Sequence, residues 1–264
     1  MPTHFKLRNT LGFVLLIGAI TLFGACEPDD KPEQVYGKLV INVINQVDDE
    51  RIVLDEIKYE NAAGNVYGVT RLQYYLSNFQ FSSKDCEDFV PENSYHLISL
   101  ANDPNLGDPN NDFLWENTTI AYDIPAGCYD DFTFSIGVDP DRNANGPYTG
   151  DLDFSYSMNW SWSGDYIFFK NEGKFIDNNN EEQNFIFHIG NENMYKTLSP
   201  FTFDNPFEIL EGETITINLY ANLNEFFANP NNIDLNRRSG TMSPGTLADS
   251  ISTNYIDMFT YEIN

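Results

Sequence analysis

Met158, Trp160 and Trp162 occupy alternate positions of the run M-N-W-S-W-S-G-D-Y, and His188 follows a hairpin's length downstream in F-I-F-H-I-G. If the first run is extended, alternation projects the thioether and both indoles to one side. With an imidazole nearby, that is soft to borderline ligand chemistry of the kind that suits Cu(I), which accepts few donors and takes sulfur or imidazole. The same four side chains are also ordinary core material, and spacing alone leaves both uses open. His188 alternates against Phe185, Phe187 and Ile189, so it leaves its strand on the face away from the bulky apolar one. His96, in S-Y-H-L-I-S-L, alternates against Tyr95 and Leu97 in the same way.

A second candidate is D-P-D-R-N-A-N-G, where Asp139, Asp141, Asn143 and Asn145 place oxygen atoms at alternating positions, as a hard cation such as calcium requires. Ala144 stands where a helix–loop–helix calcium loop needs glycine, and such runs also serve as plain Asx turns. Catalysis finds no specific support. There is no G-x-S-x-G elbow, no histidine in a hydrolase setting and no glycine-rich phosphate loop after a strand. A glycosidase pair could not be localised among 40 acidic residues. The expectation is a protein that is not an enzyme.

The elements that must position these residues read as strands. Leu39, Ile41 and Val43 share one face, Phe132, Phe134 and Ile136 another, and Ile215, Ile217 and Leu219 a third. Between them lie turn clusters at 102–112, 139–150 and 177–180. No sustained 3.6-residue amphipathic pattern appears, and only 222–228 reads as a helical turn. The pattern predicts an all-β fold, a single antiparallel β-sandwich or barrel-like domain over residues 36–264.

Ahead of that domain, Lys6 and Arg8 precede an apolar run from Leu11 to Phe23, then Gly24, Ala25 and Cys26. A basic flank, a short apolar stretch and small residues make residues 1–25 an export signal. Cysteine directly after the small pair resembles the lipobox of bacterial lipoproteins, which makes Cys26 the lipidated first residue of the mature chain. Residues 26–35 are an acidic, proline-punctuated tether, of a kind compatible with display on the cell surface. Cys86 and Cys128 remain, and an oxidising envelope favours their pairing as a disulfide. Acidic residues outnumber basic ones 40 to 14, which excludes phosphate-driven nucleic-acid binding and docking on anionic lipid by charge. Contact with a membrane is expected through the lipid anchor alone.

Five stretches in a fixed order resemble the MbnP-like family of bacterial envelope copper-binding proteins. They are R-L-Q-Y-Y-L-S-N-F (71–79), I-P-A-G-C-Y (124–129), F-S-I-G-V-D (134–139), M-N-W-S-W-S-G-D-Y-I-F-F-K-N-E-G (158–173) and F-H-I-G (187–190). The resemblance implies a β-sandwich-like domain with a mononuclear copper site built from histidine and from a tryptophan oxidised to kynurenine. A di-haem cytochrome peroxidase-like partner performs that oxidation in some members. His188 matches the family's histidine in F-H-x-G, and Trp160 and Trp162 match the paired tryptophans. Kynurenine exposes an aromatic amine able to bind metal, which an indole N–H does poorly. Copper-binding members often carry a first-strand histidine where this chain reads V-I-N-V-I-N-Q-V, with Asn45 or Gln46 in its place, and His96 is the remaining imidazole. The expected function is copper acquisition, storage or handling by an outer-membrane lipoprotein of the cell envelope. The alternatives are a metal-free scaffold or interaction module, and a calcium-dependent module that binds a surface ligand.

Overall fold

The computed structural model describes Met1 and residues 33–264, apart from residues 85, 109, 111, 112 and 147. Residues 2–32, which carry the expected export signal, Cys26 and most of the tether, lie outside the described residues. Among the described residues no helix is long and apolar enough to cross a membrane.

The period-2 apolar runs become strands, because alternation lets each bury one face. The first half of the domain holds β1 (Tyr36–Val47), β2 (Glu50–Arg51), β3 (Tyr59–Glu60), β4 (Val66–Ser82) and β5 (Tyr95–Asn102). Next come β6 (Leu114–Asn117), β7 (Thr119–Pro125) and β8 (Gly127–Ile136), then a long connection with a short helix, α1 (Pro140–Ala144). After it follow β9 (Phe169–Ile176), β10 (Glu182–Ile189), β11 (Lys196–Thr197), β12 (Phe201–Ile209) and β13 (Thr214–Asn222). The chain continues through β14 (Gly240–Thr241) and α2 (Thr246–Asn254) to β15 (Phe259–Ile263).

These strands form two sheets. The smaller runs β15-β13-β1-β2, with β7 also on β1; the larger includes the path β8-β4-β9-β10-β14. Leu39, Ile41, Ile217 and Leu219 from the small sheet share one core with Tyr74, Phe132, Phe134 and Phe187 from the large one. Aromatic rings meet across the gap: Phe259 lies 5.2 Å from Phe134 and 6.2 Å from Tyr74 between centroids. The sheets are mixed, which corrects the purely antiparallel expectation: β1 pairs parallel with β13, and β10 with β14. The reason lies in the β12–β13 connection, which carries the chain from the large sheet back to the open edge of β1 in β1's own direction. Neither sheet closes into a barrel.

Three further expectations change. The cluster at 139–150 contains α1, started by the Asp139 side chain, which accepts from the Arg142 amide. The helix α2 carries a thin apolar stripe, chiefly Ala248 and Ile251, too sparse to stand out in the sequence. The helical turn at 222–228 forms as a 3₁₀ turn at Leu223–Phe227. Among the described residues no disulfide joins Cys86 to Cys128. They sit near each other nonetheless, since the Cys86 Sγ lies 3.7 Å from where a Cβ on Gly127 would stand.

Candidate metal centre

β9 and β10 form a hairpin whose turn is held by Asp177; its carboxylate accepts from the amides of Asn179 and Glu181. Equal steps back from that turn place His188 opposite Lys170 and Ile186 opposite Glu172. On its other side β9 meets β4, with Glu172 opposite Arg71 and Lys170 opposite Gln73. Directly opposed residues share a face, so His188, Lys170, Glu172, Arg71 and Gln73 form one polar block on the outer face of the large sheet. Phe185, Phe187 and Ile189 fill the core face, as alternation predicts.

Within this block the His188 Nε2 lies 2.6 Å from a Glu172 carboxylate oxygen. The other Glu172 oxygen is 3.9 Å from Arg71 Nε, and Arg71 reaches Asp103 at 4.0 Å. Burial raises the Glu172 pKa, but the hydrogen bond from His188 and the positive charges of His188, Arg71 and Lys170 outweigh it and hold the carboxyl below its ordinary value. Lys170, only 6 % exposed, donates to the Ser157 carbonyl at 2.5 Å. Burial drives its pKa down to about 8 against the pull of Glu172.

The 137–168 connection roofs this block. The W-S-W run is not extended: the Trp160 carbonyl accepts from Gly164 and the Trp160 amide donates to Asp165, which closes a tight turn. Gly164 sits at φ +81°, where a side chain would be strained. The turn separates what alternation would have projected together. Met158 and Trp160 are buried, while Trp162 is 69 % exposed. The indoles remain in contact at 4.8 Å, and the Trp160 ring lies 6.0 Å from the His188 ring. Gly190 of F-H-I-G lets this roof close onto β10, because a Cβ there would stand 2.6 Å from the Tyr166 carbonyl oxygen. A cleft of about 220 Å³ opens beside the pair, lined by both indoles, Asp165 and Glu192 among others.

The other expected donors are not brought to this place. His96 lies opposite Leu76, on the core face of the sheet, with its Nε2 2.6 Å from the Tyr122 hydroxyl. Burial lowers its pKa to about 4. His96 and His188 therefore sit on opposite faces of the large sheet. Asn45 is buried on the core side of β1, where its Oδ1 accepts from the Tyr74 hydroxyl at 2.6 Å. Gln46, its neighbour, takes the outer face. The oxygens of the expected calcium run do not converge. Asp139 caps α1 and accepts from the Tyr95 hydroxyl, Asn143 accepts from the Tyr166 amide, and Asn145 donates to the Asp141 carbonyl. Among the described residues no group of three or more His, Cys, Asp or Glu side chains is placed to hold a metal ion. Glu172 and Arg71 are the residues that the ligand-centred reading of the sequence missed. Both lie within the motifs at 158–173 and 71–79, and counting the β9–β10 register outward from the turn would have placed Glu172 beside His188.

The MbnP family model matches residues 36–243, a span that contains all five motif stretches. Among solved structures, MbnP from Methylosinus trichosporium is similar at 14 % sequence identity and a TM-score of 0.53, covering 86 % of this chain and 99 % of that one. That likeness speaks for the fold. No curated protein matches the chain.

Proposed function

The chain belongs to the MbnP family, and from that premise we propose that it is a copper-binding protein of the bacterial cell envelope. In this reading it is non-enzymatic, anchored by lipid on Cys26, and serves copper acquisition, storage or handling. The observation that carries the reading is the Trp160–His188–Glu172 cluster, a half-roofed imidazole held by a carboxylate under an indole.

The donor set fits copper only in part before modification. His188 supplies an imidazole and Glu172 a carboxylate, fewer donors than a firm site wants. With Nε2 held by Glu172, the free donor of His188 is Nδ1, and the carboxylate fixes the orientation of the ring. Kynurenine formed from Trp160 would add an aromatic amine beside the same ring. Trp160 is the better precursor than Trp162 because it is the indole facing His188. Trp162, exposed at the surface, is available to a di-haem peroxidase-like partner that performs the oxidation. The same exposed ring is what favours the metal-free alternative, an interaction module of the envelope.

Protein purified from its native envelope and dialysed is expected to retain copper, and to carry the kynurenine mass in the peptide containing Trp160. His188→Ala should lose the metal, and Glu172→Gln should weaken it roughly tenfold. Equal copper retention in wild type and His188→Ala would remove the proposal.

A further inference from the structure

At one end of the gap between the sheets lies a cavity of about 500 Å³, bounded by β1, residues 51–55, β5 and β6. That volume is within the range of small-molecule sites. Its apolar walls include Val43, Ile52 and Leu100, each under 10 % exposed, with Leu54 and Leu114 half-buried. It is separate from the His188 block: Glu116 lies opposite Leu100, which places both on the core face of the large sheet.

Two polar features define what would fill it. Asn45 is 7 % exposed and lines the cavity; its Oδ1 is taken by Tyr74, while its Nδ2 donates to no group among the described residues. That nitrogen is open to the cavity rather than sealed off, so a hydroxyl or carbonyl at an occupant's inner end can accept from it in place of water. At the mouth stand two carboxylates. Asp55 accepts from Asn102 at 2.7 Å, and Glu116 forms no ion pair among the described residues. Arg51 also borders the mouth. It pairs opposite Gln46, which sets it on the face of the small sheet that Asn45 does not occupy.

We propose that this cavity binds a small amphipathic amine. Its ammonium group lies at Asp55 and Glu116, its apolar body against Val43, Ile52 and Leu100, and its inner oxygen accepts from Asn45. Coulomb attraction to the two exposed carboxylates at the mouth supplies the charge preference, apolar burial supplies much of the affinity, and the amide selects the inner oxygen.

Three probes separate these contributions in the full mature chain with EDTA present, which makes the test independent of copper. They are tyramine, phenethylamine (no hydroxyl) and 3-(4-hydroxyphenyl)propionate (the charge reversed), each followed by calorimetry and by amide chemical shifts at residues 43–55 and 100–116. Tyramine is expected to bind, phenethylamine several-fold more weakly, and the carboxylate not measurably. Glu116→Gln should weaken tyramine roughly tenfold, and Leu100→Trp should abolish binding by filling the space. Because Asn45→Leu also removes a hydrogen bond to Tyr74, its expected effect is read as loss of the tyramine–phenethylamine difference, not as loss of stability. Binding of the carboxylate as tight as tyramine, indifference to Glu116→Gln, or silence from all three probes would each overturn the proposal.

Discussion

His96 shows how one buried side chain sets a pH limit. Its folded pKa is about 4 because burial disfavours the imidazolium, whereas the unfolded value is the ordinary 6.5. The folded value is depressed, so as pH falls the unfolded chain takes up this proton first. The stability tied to neutral His96 is full above pH 6.5 and is lost between 6.5 and 4, about 3 kcal/mol in all. Urea melts at pH 7.5 and 4.5 should show wild type losing markedly more stability than His96→Gln. Identical losses would mean that His96 is not held neutral. The sequence placed this histidine on a strand, and alternation assigned His188 the correct face. It could not place Trp162, because alternation assumes an extended chain, and the turn closed at Gly164 by Trp160 breaks that assumption.

At the scale of elements, β9 carries an unusual residue in its middle. Asn171 is fully buried between Leu72 and Phe187, its neighbours in register, and neither amide atom finds a partner. A buried amide left unpaired costs about 1–3 kcal/mol, so Asn171→Leu, which keeps the branched side-chain skeleton without the polar atoms, is expected to raise the unfolding free energy and with it the urea midpoint. A fall in the midpoint would mean that the amide is satisfied in solution, for instance by water. Strand faces were legible because each alternating run fixes its own faces. Strand neighbours were not. Nothing in Leu39-x-Ile41-x-Val43 says that its partner is Ile215–Leu219 running parallel, because that pairing is decided by how the chain crosses between sheets. The helix α2 escaped notice for a different reason: its burial rests on a few residues, among them Ala248, Ile251, Ser252 and Asn254, two of them polar.

For the molecule as a whole, the formal charge of −26 acts on every element at once. Like charges at this density repel, and the compact state brings them closer than the unfolded chain does. Added salt shortens the reach of that repulsion from about 30 Å at 0.01 M to about 8 Å at 0.15 M. The melting temperature should therefore rise by several degrees between those two conditions, and a flat response would show that the charges are already balanced locally. The acidity also sharpens the contrast with the cavity mouth, where Asp55 and Glu116 add to a field that already gathers cations.

The parallel pairing of β1 with β13 bears on time as well as on shape. Asn42 and Asn218, partners in that ladder, are separated by 176 positions along the chain. A contact over such a distance forms late, since the loop between must first be brought to order. During synthesis or passage through a channel, β1 emerges long before the strand that completes its edge. A chain arrested short of residue 214 would hold β1 with that edge bare, the form most open to a protease, a chaperone or a second incomplete chain.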